Sequence, residues 1–175
     1  SIAGVSCLAL RISFTGDLGW EIYCDAAKQQ IVYEALIKEA VIEKGGPVGS
    51  RALMSLRIEK GYGSWSREYS PEVWPHECGL DTLCKLDKEF LNKTNLLKNL
   101  KNKPRERLVL IHLNEDDCNS SNADATGGEP IFKNGKGLGR ITSGAYGYSV
   151  GMSLALGYVK DVTPGDTVDV MVLGK

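Results

Sequence analysis

The chain has 175 residues, 42% of them hydrophobic and 25% charged, and at this length folding buries roughly 70% of the unfolded surface, enough for one or two small domains. Lysine plus arginine (21) nearly cancels aspartate plus glutamate (22) without long blocks of either sign, so nucleic-acid and membrane-surface partners have no electrostatic support. No apolar run approaches the ~20 residues that span a bilayer, the start carries no signal-peptide pattern, and five cysteines without C-x-x-C spacing suit reduced intracellular thiols rather than zinc or any other metal site.

In chain order, Leu8–Phe14 reads as a half-buried strand, Thr15-Gly16-Asp17-Leu18-Gly19 as a glycine-bounded turn, and Trp20–Cys24 as the returning strand of a hairpin. From Ala27 to Lys44 the apolar positions Ile31, Val32, Ala35, Leu36 and Ala40 recur at helical spacing, and Gly45-Gly46-Pro47 ends the helix. A second helix runs from Ser50, an N-cap residue type, to about Lys60 and stops at Gly61. Gly61–Cys78 reads as an ordered Gly/Ser/Pro loop, Leu83–Leu86 as a short strand and Lys93–Leu100 as a third helix.

Lys101-Asn102-Lys103-Pro104 is the best domain boundary, giving units 1–102 and 103–175. Beyond it the pattern is all β: strands at Arg107–Leu113, Ile131–Lys133, Leu138–Thr142, Leu154–Val159 and Thr167–Leu173. Asn134-Gly135 is a hairpin signal because both central residues of a type I′ turn need positive φ. Asn114–Gly128 reads as a polar loop, mobile or disordered. The chain opens without methionine and ends in strand pattern, so the expectation is a piece of a longer polypeptide.

Ser13-Phe14-Thr15-Gly16-Asp17-Leu18-Gly19-Trp20-Glu21-Ile22 resembles the hairpin of the folate-binding aminomethyltransferase family, the T-protein of glycine cleavage. Three further stretches agree in order: Ser55–Gly61, Pro75-His76-Glu77-Cys78-Gly79-Leu80, and Gly135–Val159 with Gly139, Thr142-Ser143-Gly144 and Leu156-Gly157-Tyr158-Val159. Trp20, Glu59-Lys60-Gly61-Tyr62 leading to Trp65, and Tyr146-Gly147-Tyr148-Ser149 are most similar to the branch fused to flavin-dependent dimethylglycine and sarcosine dehydrogenases. The resemblance implies an α+β fold: a partial ferredoxin-like unit followed by a truncated all-β barrel or jelly-roll-like domain.

By the same resemblance, Glu21 is the carboxylate that holds a pterin, accepting both N–H donors of its 2-amino and N3 edge in paired, charge-assisted hydrogen bonds. The plain alternative is a solvated strand glutamate. Phe14 stands where the family usually has tyrosine, and either packs on the flat ring or belongs to the core. Tyr62 and Trp65 occupy the loop whose aromatics line the family's folate cavity. Leu53 replaces an arginine of the stand-alone enzymes, and Arg51, two positions away, points about 200° around the helix. Arg57 matches a family arginine and is expected in a structural ion pair, with Glu59 or a neighbouring strand.

The implied function is tetrahydrofolate binding next to a flavin (FAD) domain elsewhere in the polypeptide, with capture of the released one-carbon unit as 5,10-methylene-tetrahydrofolate. The implied partners are folate and the remainder of the same polypeptide. The family's catalytic aspartate lies outside this stretch, so the parent is expected to be the enzyme and these residues alone to be inactive. The implied compartment is the mitochondrial matrix for a eukaryotic source and the cytoplasm for a bacterial one. Two other readings stay open: a non-catalytic regulatory module like the regulatory subunit of pyruvate dehydrogenase phosphatase, and a stand-alone aminomethyltransferase of glycine cleavage.

Overall fold

In the computed structural model, which describes residues 1–114 and 124–173, a short hairpin comes first. Strand β1 (Cys7–Leu10) pairs antiparallel with β2 (Glu21–Cys24), placing Leu10 opposite Glu21 and Cys7 opposite Cys24. The expected first strand is four residues too long at its C-terminal end. Its backbone turns at once, Ile12 N–H donating to the Leu10 carbonyl, and Ser13 and Thr15 bond each other through their hydroxyls. Such local side-chain bonding competes with the strand ladder, and it leaves Phe14 in the connection rather than on β1.

Helix α1 (Gln29–Ile42) follows a single 3-10 turn at Ala26–Lys28, which Asp25 caps by accepting from the Ala27 N–H at 2.9 Å. Its expected apolar stripe is not covered: only Val32 is buried, while Ile31, Leu36, Val41 and Ile42 stay exposed. Helix α2 (Ser50–Glu59) behaves oppositely, burying Ser55, Arg57 and Ile58. Helix α3 (Lys93–Leu100) buries Leu96. The expected strand at Leu83–Leu86 does not form. Asp81–Leu83 is a 3-10 turn closed by Leu83 N–H to Leu80 and Cys84 N–H to Asp81, and a short apolar run with no strand beside it has no ladder to join.

The second half is an antiparallel sheet built from β3 (Arg107–Leu113), β4 (Pro130–Lys133), β5 (Lys136–Gly147), β6 (Met152–Val159) and β7 (Asp169–Val170), in the order β3-β6-β5-β4-β7. Among the described residues it does not close on itself. The architecture is α+β as the sequence implies, with the helices first and the barrel-like sheet second. Asn134 (φ 52°) and Gly135 (φ 74°) make the β4–β5 turn left-handed at both positions, as the Asn-Gly signal requires. Strand β5 runs further than expected, and the last strand pattern shrinks to Asp169–Val170.

The barrel core gathers Leu113, Ala125, Ile131, Ile141, Ala155 and Val159, with Val109, Ile111, Val168 and Val170 packed around it. Strand β6 is buried from Ser153 to Val159, because its second face lies under the N-terminal half. Ser55 of α2 donates to the Tyr146 carbonyl at 2.5 Å, and Ser149 N–H donates to Glu59 at 3.0 Å. Of the polar 114–128 loop, residues 115–123, including Cys118, lie outside the described residues. The stretch that follows is packed: Ala125 is fully buried, and Thr126 and Gly127 N–H donate to the Glu129 carboxylate at 2.7 and 2.8 Å.

Candidate functional site

Strand alternation puts Glu21 and Tyr23 on one face of the hairpin, Leu8 and Leu10 across from them, and all four side chains are exposed. The Tyr23 hydroxyl donates to Glu21 Oε2, and this bond together with the glutamate charge raises the phenol's pKa. The result is an apolar floor carrying one ionised acceptor. A carboxylate beside aliphatic and aromatic surface is the kind of acceptor that the donor edge of a flat heterocycle takes, but this face stands open to solvent, Tyr23 already occupies one oxygen, and neither of the two clefts described below adjoins it.

Phe14, in the connection after β1, is half-buried. Tyr62 and Trp65 lie on the loop after α2 and are 42% and 71% exposed, presenting aromatic surface to solvent. Two clefts, of about 450 and 400 Å³, occur elsewhere: one where the start of α2 meets Glu129 and Gly144, the other beside His76 and Asp81. None of Glu21, Phe14, Tyr62 and Trp65 lines either cleft.

Beneath the aromatic loop lies a polar cluster that sequence reading reached only in part. Arg57, expected to pair with Glu59 or a strand, pairs with Glu68 at 3.2 Å, and both side chains are 0% exposed. Glu59 instead faces Ser149. Arg57 Nη1 also donates to the Tyr62 carbonyl at 2.9 Å. Glu68 Oε2 accepts from Ser64 N–H at 2.7 Å, Oε1 accepts from Ser143 Oγ at 2.5 Å, and its backbone carbonyl accepts from the Tyr158 hydroxyl at 2.6 Å.

Burial alone would raise the Glu68 pKa, but bonds from Ser143 and Ser64 and the Arg57 charge hold it below the ordinary carboxylate value. Burial lowers the Arg57 pKa, opposed by Glu68. Nothing local marks Glu68 in the sequence, since its partners Ser143 and Tyr158 lie 75 and 90 residues away.

Glu77, in the Pro75–Leu80 turn, carries no function in the sequence reading, yet it is buried and binds Arg105 just past the linker. The four described cysteines are free thiols, and the described residues hold no cluster suited to a metal ion. No helix in the described residues is long and apolar enough to cross a membrane. The glycine run Gly135-Lys136-Gly137-Leu138-Gly139 forms the β4–β5 turn and the start of β5, not a strand-to-helix phosphate loop.

Residues 1–88 match the GCVT N-terminal domain and residues 107–175 the glycine cleavage T-protein C-terminal barrel domain. The chain is 37% identical to mitochondrial dimethylglycine dehydrogenase of Homo sapiens over 99% of its own length and 20% of that protein's. It is 33% identical to mitochondrial sarcosine dehydrogenase of Mus musculus over 93% of its length and 17% of the relative's. It is 34% identical to an aminomethyltransferase of Thermotoga petrophila over 99% of its length and 46% of the relative's. The solved aminomethyltransferase T of the Bartonella henselae glycine cleavage system superposes with a TM-score of 0.81 at 26% identity, covering 95% of this chain and 46% of that one. The chain thus spans about a fifth of the dehydrogenases and about half of the aminomethyltransferases. These 175 residues belong to the glycine cleavage T-protein family, combining parts of its GCVT N-terminal domain and its C-terminal barrel domain.

Proposed function

We propose that the chain is the tetrahydrofolate-binding part of a flavin-dependent N-methyl amine dehydrogenase acting on dimethylglycine or sarcosine. The observation that carries this reading is the match to dimethylglycine dehydrogenase, 37% identical across 99% of the chain. Glu21 would accept the paired N–H donors of the pterin edge, with Phe14, Tyr62 and Trp65 supplying flat apolar surface. When bound, tetrahydrofolate supplies the amine nitrogens that take up a one-carbon unit as 5,10-methylene-tetrahydrofolate. The protein's contribution is orientation and confinement: an ionised acceptor fixes the ring, and apolar surface excludes water around it.

In this reading the FAD domain and the rest of the folate cavity belong to parts of the polypeptide outside these residues. The two units divide near residues 102 and 103. The compartment is the mitochondrial matrix if the source is eukaryotic, as the names of the dehydrogenase relatives support, and the cytoplasm if it is bacterial.

A second reading, a regulatory module that kept the fold without the chemistry, is favoured by Leu53. It stands 37% exposed on α2 where the family resemblance puts an arginine. One assay separates the two. The full parent polypeptide is given dimethylglycine or sarcosine, an electron acceptor and tetrahydrofolate. Accumulation of methylene-tetrahydrofolate supports the dehydrogenase, and an intact parent that oxidises neither amine supports the regulatory module. The 175-residue chain alone is expected to give no turnover.

A further inference from the structure

The loop that carries Tyr62 and Trp65 is shaped from below by groups that touch no ligand surface. Tyr62 N–H donates to the Arg57 carbonyl at 2.9 Å, and the Arg57 guanidinium returns a bond to the Tyr62 carbonyl at 2.9 Å. Two residues on, Ser64 gives both its N–H (2.7 Å) and its hydroxyl (3.2 Å) to Glu68 Oε2. Gly63 N–H donates to the Tyr69 hydroxyl at 3.1 Å, and a methyl at Gly63 would stand 2.6 Å from the Tyr69 ring and 2.7 Å from Glu68 Cβ. The loop is therefore pressed flat against the Arg57–Glu68 pair, with no slack at its centre.

Glu68 is in turn held by the other half of the molecule. Ser143 on β5 takes one carboxylate oxygen and Tyr158 on β6 takes the backbone carbonyl. Both strands are central in the barrel sheet. A carboxylate with one oxygen committed to the barrel and the other to Arg57 and Ser64 has a single orientation. The loop inherits that orientation.

We infer that Arg57 and Glu68 are positioning residues that transmit the barrel's placement to the Tyr62–Trp65 loop, with Ser143 and Tyr158 as the barrel's grip on that clamp. The barrel would then shape the aromatic wall without contributing a side chain to it. The consequence for ligand binding rests on the proposed folate site; the consequence for the loop does not.

Amide hydrogen exchange of the full chain tests the loop directly. Tyr158→Phe and Ser143→Ala each remove one hydroxyl and keep the core volume nearly unchanged. Exchange of the Tyr62–Trp65 amides is expected to accelerate at least tenfold in both, while the β3 amides keep their wild-type rates. Ser143→Thr, which retains a hydroxyl, restores protection. The inference is overturned if loop amides keep wild-type rates, or if loop and β3 amides accelerate together, as simple destabilisation would produce.

Tetrahydrofolate titration of the full parent polypeptide carrying the same changes is the second readout, with the dissociation constant expected to rise about tenfold in Tyr158→Phe and Ser143→Ala. Selective loop exchange with no tetrahydrofolate binding even by the wild type would uphold the clamp and remove the folate reading. Tetrahydrofolate binding that is identical in wild type and both variants overturns the clamp's role in the site.

Discussion

Glu77 and Arg105 grip each other with two bonds across the junction between the helical half and the barrel sheet: Nε to Oε1 at 2.8 Å and Nη2 to Oε2 at 2.7 Å. The same carboxylate accepts from the Trp74 and Arg105 backbone N–H groups, and the Glu77 carbonyl accepts from Leu108 N–H at 2.7 Å. This pins the start of β3 to the Pro75–Leu80 turn.

Chiefly through Arg105, the Glu77 pKa is lowered from 4.5 to about 2. A carboxyl whose folded pKa lies below its unfolded one adds stability above the unfolded value and loses it as pH falls through the folded one. A shift of that size corresponds to roughly 3 kcal/mol at neutral pH, lessened by screening because the Arg105 side chain is 61% exposed. Melting temperature measured from pH 7 to pH 2 should therefore drop most steeply below pH 4.5. Glu77→Gln should be less stable at pH 7 and should flatten that drop; parallel curves for the two proteins would refute the assignment.

The Arg57–Glu68 pair makes a different demand. Both side chains are wholly buried, so removing one leaves the other charged and unpaired, at a cost of about 3–5 kcal/mol. Glu68→Ala is expected to lower the unfolding free energy obtained by urea titration by about 3–5 kcal/mol, while Arg57→Met combined with Glu68→Leu recovers most of the loss. A double variant as unstable as the sum of its single changes would contradict this.

Gly139 sits so close to β6 that an added methyl would stand 1.9 Å from the Tyr158 carbonyl oxygen and 3.0 Å from Val159 Cα. Backbone atoms in a central strand cannot step aside. Gly139→Ala should destabilise by about 3 kcal/mol. Unchanged thermal unfolding would show that the β5–β6 pairing differs from the one described.

Much of this was legible in the sequence where the signal is local. The Asn134-Gly135 turn, the bounds of β3, the third helix and the body of α2 follow from turn chemistry and periodicity. The errors also have local causes. Ser13 and Thr15 shorten β1 through their hydroxyls, and the Leu83–Leu86 run lacks a neighbour to pair with. The stripe of α1 is apolar at helical spacing, but periodicity says nothing of what covers it. What the sequence hid is long-range. Glu68 and Glu77 look like ordinary loop glutamates until Ser143, Tyr158 and Arg105 are brought beside them. Glu21, Phe14, Tyr62 and Trp65 stand out only through family resemblance, and by periodicity alone Glu21 is a solvated strand residue.

The hairpin register can be checked chemically. Cys7 and Cys24 face each other across β1 and β2, both as half-buried free thiols. Antiparallel neighbours have Cα atoms about 4.5–5.5 Å apart, within the range a disulfide needs. Oxidised glutathione, which takes up the two electrons and leaves as reduced glutathione, should link Cys7 to Cys24, and peptide mapping should find that pair. A product joining Cys24 to Cys78 or Cys84 instead would disprove the register that presents Glu21.

Folate binding in the proposed function depends on the carboxylate of Glu21. Tetrahydrofolate is titrated into the full parent polypeptide and into its Glu21→Ala and Glu21→Gln variants, with folding of each confirmed by its melting curve. The expected result is binding by the wild type and a dissociation constant at least tenfold higher in both variants, because two charge-assisted hydrogen bonds to the pterin edge are lost or weakened. Equal affinity in all three proteins, or binding by none, would contradict the assignment.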